Sequence, residues 1–61
     1  MKQYLVDIRK NRYDTILISC CVDVVVGETA EETLENIMSK LNVMLGNEYD
    51  HLIIESVYIL N

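Results

Sequence analysis

No proline interrupts this chain of 61 residues, only two glycines punctuate it, and its thiols and imidazoles amount to two cysteines and one histidine. The cysteines are neighbours, Cys20 and Cys21. They provide no disulfide framework, because adjacent strand residues point to opposite faces and a vicinal bridge is strained. With His51 they match no zinc-ligand spacing, so neither a metal nor a cofactor is expected. There is no glycine-rich phosphate loop, no H-E-x-x-H and no serine or threonine in triad spacing with the histidine. Paired carboxylates exist, but a body this small hardly buries a cleft in which their pKa values would be shifted. An enzyme is not expected.

Bases are scarce as well. Ten acids stand against five bases, a formal charge of −5, which argues against unaided binding to nucleic acid or an anionic membrane. The bases are also segregated. Residues 1–12 hold Lys2, Arg9, Lys10 and Arg12 against Asp7, a local +3, and leave nine acids against Lys40 alone in the remainder. No run approaches the roughly 18 to 20 apolar residues of a membrane span. The start, MKQYLVDIRK, has no apolar core of signal length before its charges. A soluble, cytoplasmic protein is the expectation, and the unbridged cysteines agree with a reducing compartment.

What the chain has in plenty is apolar side chains, 51% of all residues. A chain of this length folds as one domain, residues 1–61, and buries only about 60% of the surface it exposes when unfolded. The apolar content therefore exceeds what a small monomer easily hides, and a self-associating or partner-binding face is the natural outlet.

In chain order, residues 3–8 (QYLVDI) alternate Tyr4, Val6 and Ile8 with Leu5 and Asp7, the period of a half-buried strand. Residues 9–14 (RKNRYD) are polar and read as the turn of a hairpin. Residues 15–26 (TILISCCVDVVV) are rich in β-branched side chains and form a second strand. They are long for one, so a bulge or bend is expected near the cysteines. Gly27 and Glu28 break that strand, and Thr29 to Glu32 is a T-x-x-E capping box that opens a helix. Leu34, Ile37, Met38, Leu41, Met44 and Leu45 recur at spacings of three and four, and Gly46-Asn47 closes the helix at 30–45. Residues 51–60 (HLIIESVYIL) are apolar on both parities, which reads as a strand that is central or lies at an interface. The fold class is therefore α+β: a ββαβ order, with a three-stranded antiparallel-type sheet and one helix packed across a face, expected as a dimer. The sheet's other face would carry Leu5, Leu17, Cys21 and Val25 among polar residues.

Two groups of side chains bear on function. Glu28, Glu31, Glu32 and Glu35 crowd the helix start, where the helix dipole favours carboxylates. They cover amides that a phosphate site would need bare, and a small rigid array of carboxylates can imitate phosphates to a groove built for DNA. Along the helix, Met38 and Met44 provide soft, adaptable packing suited to a partner.

The blocks YDTILI at 13–18 and LGNEYDHLI at 45–53 resemble the small uracil-DNA glycosylase inhibitors of Bacillus phages, in which a Tyr-Asp precedes an apolar strand and the helix closes on a Gly-Asn motif. The likeness in length and element order covers most of the chain. It implies a homodimer with two helices side by side. An apolar pocket flanked by acids would occupy the host glycosylase's DNA groove as a DNA mimic and trap the leucine that the enzyme inserts into the minor groove. The partner-binding residues so implied are Met38, Leu41, Asn42 and Leu45 with Glu35 and Glu48. The family's aromatic and acidic pocket contacts are replaced here by Leu41, Asn42 and Leu45. A second resemblance, carried by Val26-Gly27-Glu28-Thr29 and residues 31–36 (EETLEN), is to the N-terminal domain of HicB-type antitoxins, and it implies a toxin-neutralising or regulatory interaction domain. The Pro-rich turn and DNA-binding tail of that family are lacking.

Overall fold

A computed structural model describes residues 1–46 and 51–60. The chain runs β1 (Lys2–Arg9), β2 (Ile18–Val24), α1 (Ala30–Leu45) and β3 (Ile53–Ile59). This is an α+β ββαβ fold with one three-stranded antiparallel sheet in the order β2-β1-β3 and one helix packed against it. β1 is central and pairs with both neighbours, so β2 and β3 run parallel to each other on its two sides.

The alternation in β1 is obeyed: Tyr4, Val6 and Ile8 are buried beneath the helix, while Gln3, Leu5, Asp7 and Arg9 face the other way and stay partly exposed. Val22 and Val24 from β2 and Ile37 and Leu41 from α1 complete the core. Each such side chain contributes about 1.5 to 3 kcal/mol by leaving water.

Three expectations need correction. The second strand is shorter than its composition implies, because pairing with β1 begins at Ile8 and Ile18. Residues 10–17 form the connecting loop, and Ile16 and Leu17 are exposed in it. Nor does β2 carry the irregularity expected near its cysteines, since its register with β1 is continuous. The bulge lies in β3. Asp7 pairs with Ser56 and Ile8 with Ile54, which leaves Glu55 unpaired between them. An extra residue reverses the side-chain parity of everything beyond it. Leu52 and Ile54 before the bulge, and Val57 after it, therefore all pack on the core. Apolar residues on both parities thus mark a change of face within an edge strand, and of the two positions expected for it, central or at an interface, the central one belongs to β1.

Arg9 holds the bulge in place. Its Nε donates to Glu55 Oε1 at 2.6 Å, its second terminal nitrogen pairs with the same oxygen, and Nη1 donates to the carbonyls of Arg12 and Asp14 at 3.1 and 3.3 Å. One guanidinium so ties the hairpin loop to β3, using the fork of donors that lysine lacks. Within that loop, Asn11 Oδ1 accepts from the amides of Tyr13 and Asp14 at 2.9 and 3.0 Å, the Asx-turn chemistry its position implies.

At the helix start, Thr29 Oγ1 accepts from the Glu32 amide at 3.1 Å, and the Glu32 carboxylate accepts from the Glu28 amide at 2.9 Å, one residue ahead of the cap itself. Gly46 ends the helix at φ +64°, a conformation that side chains disfavour. Among the described residues, no helix is long and apolar enough to cross a membrane.

Candidate functional site

Two side chains that the periodicity leaves unremarked decide how the helix rolls on the sheet. Asn36 Nδ2 donates to the carbonyl of Val25 at 2.8 Å, and Thr33 Oγ1 accepts from the Gly27 amide at 2.9 Å. Together they tether one flank of α1 to the exit of β2, and the helix comes closest to that strand. The opposite flank is turned away from β2. On it lie Leu34, Met38 and Leu45, at the i, i+4 and i+11 positions of one stripe. Leu34 is 44% exposed, while Met38 and Leu45 are half-buried. The stripe is bordered on its solvent side by Glu31, Glu35 and Asn42, all exposed.

The structure thus brings Glu35, Met38, Asn42 and Leu45 together on one helix flank. Leu41 goes elsewhere: it has no exposed surface and sits in the core with Ile37. Glu48, and the Asn47 to Asp50 stretch of the second resemblance block, lie outside the described residues. The first block is mostly loop, with only Ile18 inside β2.

The carboxylates divide by employment. Glu32 serves the cap, Glu55 pairs with Arg9, Asp7 accepts from the Ser19 hydroxyl at 2.6 Å, and Asp14 accepts from the Ile16 amide at 2.9 Å. Glu31 and Glu35 hold no hydrogen bond or ion pair among the described residues and are open to solvent. Because the helix starts where β2 ends and the hairpin loop lies at the other end of β1, the Glu28, Glu31, Glu32, Glu35 cluster and the Arg9, Lys10, Arg12 cluster lie at opposite ends of the sheet, with Lys2 at the first end and Asp14 and Glu55 at the second.

Elsewhere, Cys20 is half-buried against the core, and burial, with the neighbouring Cys21 thiol, pushes its pKa up. A raised pKa disfavours the thiolate, which is the reactive form. Beside the hairpin loop is an open concavity of about 510 Å³ lined by Asn11, Arg12, Tyr13, His51, Leu52 and Ile53. Its lining, among the described residues, brings a cation and an imidazole together without a serine, threonine or cysteine nucleophile. Among the described residues no three His, Cys, Asp or Glu side chains converge as metal ligands.

The chain matches no protein-family model, no curated protein and no solved structure closely enough to be assigned to a family.

Proposed function

We propose that this chain is a protein-binding module that blocks a DNA-processing enzyme, with uracil-DNA glycosylase the first candidate, by presenting the Leu34, Met38, Leu45 flank of α1 to the enzyme's DNA groove. The observation that carries the reading is the combination on that flank: an apolar stripe only partly covered, with Leu34 most open, Met38 half-buried and Leu45 packed against the core, and, along its rim, the unengaged carboxylates of Glu31 and Glu35. Those two lie one turn apart, about 6 Å along the axis. Basic side chains that normally meet phosphates would meet them instead, and the apolar stripe would receive whatever the enzyme inserts between bases. No bond is made or broken. Compared with the expectation from sequence, Leu34 takes the place of Leu41 as a contact residue.

The test is a cleavage assay with a bacterial uracil-DNA glycosylase, a uracil-containing oligonucleotide and increasing amounts of this protein. Inhibition is expected to weaken with salt, as for any contact built on charge. The double variant Glu31→Lys, Glu35→Lys is expected to lose inhibition by about 100-fold or more, with like charges now facing the groove, while circular dichroism shows the fold retained. Complete cleavage at large excess of the folded wild type refutes the glycosylase reading.

A second reading, a toxin-neutralising domain, draws on the Gly27 to Asn36 connector, the stretch that carries the antitoxin resemblance, where strand exit and capped helix are fastened together. Rescue of growth on co-expression with a small basic toxin encoded beside it, together with no effect on the glycosylase, would favour that reading.

A further inference from the structure

The β3 edge is the place where this fold is unfinished. Leu60 donates its amide to the Gln3 carbonyl at 2.9 Å. In an antiparallel ladder each residue turns both backbone groups to one side, alternating along the strand. Tyr58, opposite Leu5, and Ser56, opposite Asp7, therefore face β1 as Leu60 does, and the amides and carbonyls of Val57 and Ile59 point outward. No strand among the described residues pairs with that side.

The two edges of the sheet are not alike. β2 has its core-side residues covered by the helix, with Val22 and Val24 at 2% and 4% exposure, and it carries Ser19, Cys21 and Asp23 on the other side. Beyond the bulge, β3 carries no charge, and Tyr58, Ile59 and Leu60 are 53%, 64% and 49% exposed although Ile59 points to the helix side of the sheet. An unprotected, apolar edge with open backbone groups is what natural sheets avoid unless something pairs with it.

We infer that the occupant is a second copy of this chain, joined by antiparallel pairing of β3 with its counterpart about a two-fold axis at Tyr58. Three observations fix that choice. The bulge at Glu55 limits the regular part of the edge to residues 56–60, and the midpoint of that segment is Tyr58. Centring there sets Val57 opposite Ile59 of the other copy, so the outward backbone groups meet each other and each such pair exchanges both its bonds. The charges agree in direction: Asp23, Glu28, Glu31, Glu32 and Glu35 stand at the helix-start end against Lys2, so antiparallel alignment keeps the acidic ends of the two copies apart, whereas parallel alignment would set them side by side.

A stable interface takes roughly 800 Å² from each partner, against 4376 Å² of surface on one protomer. The backbone edge alone does not supply that. The exposed Tyr58, Ile59 and Leu60 beside it belong to the contact, and they account for part of the apolar surplus of the chain. The product is a six-stranded sheet with β2 at each end, in which Tyr58 meets its own copy as a non-hydrogen-bonded pair.

Analytical ultracentrifugation of the full chain at high micromolar concentration tests this without any enzyme, so its outcome is separate from that of the inhibition assay. A dimer is expected. Ile59→Pro removes an outward amide that β1 does not use, a substitution edge strands tolerate. It is expected to leave the circular dichroism spectrum unchanged and to raise the dimer dissociation constant about 100-fold, as loss of shared backbone bonds requires. Should that variant fail to fold, Ile59→Lys serves the same purpose by placing a charge in the edge. Tyr58→Cys, in a chain with Cys20→Ser and Cys21→Ser, is expected to form a disulfide-linked dimer on mild oxidation, because paired Cα atoms at such a site lie about 4.5 Å apart. A monomeric wild type, a dimer undisturbed by both position-59 variants, or no cross-link through position 58 in a chain that still dimerises each overturns the proposal.

Discussion

A methyl group on Gly27 would sit 2.4 Å from Glu32 Cβ and 3.0 Å from the Thr33 amide nitrogen. The glycine is there because the strand exit is pulled flush against the first helical turn by the Thr33, Glu32 and Asn36 bonds, not because of any unusual backbone angle. Gly46 is the reverse case: the space around it is open, but its φ of +64° is one that side chains resist. Gly27→Ala is expected to cost about 1 to 3 kcal/mol through overpacking, and Gly46→Ala about 1 kcal/mol through backbone strain alone. Urea titration of both variants checks the order. Equal or reversed losses would mean that the connector adapts and that its bonds are not what holds the helix in its roll.

Among the elements, the bulge has the widest effect, since it allows Leu52, Ile54 and Val57 to serve one core. Deleting Glu55 would restore regular pairing and carry Leu52 and Ile54 to the opposite face. That deletion is expected to unfold the chain or cost at least about 3 kcal/mol, the burial of two aliphatic side chains. Glu55→Gln, which keeps the residue and loses only a partly exposed ion pair, is expected to cost under about 1 kcal/mol. Thermal melts of the two separate the geometric role from the electrostatic one. The same element marks where the sequence stops being legible. Strand 1, the capped helix with its limits at 30 and 45 and the ββαβ order follow directly from alternation, from the Thr29 cap and from the spacing of apolar residues. The strand order and the edge position of β3 do not, because a one-residue insertion in the register leaves the same two-sided apolar pattern as a buried strand.

For the molecule as a whole, the candidate site was legible as a helix but not as a side of it. The stripe from Leu34 to Leu45 is wide enough to be read from either flank, and long-range bonds from Asn36 and Thr33 to residues 25 and 27 decide which flank meets the sheet. That decision buries Leu41 and leaves Leu34 outside. The strand order has a further consequence, for time. β1 meets β2 across a short loop, but it meets β3 only after some fifty residues have been gathered in, as the pairing of Tyr4 with Ile59 requires. Closing the larger loop costs more chain entropy and is slower. The hairpin and helix are therefore expected to organise first, with β3 closing afterwards. Chevron analysis on dilute, monomeric protein checks this: Val22→Ala should mainly slow folding, and Val57→Ala should mainly speed unfolding. If so, the last strand to arrive is also the first to let go, and what it leaves behind on β1 is a row of unpaired amides and carbonyls at Gln3, Leu5 and Asp7.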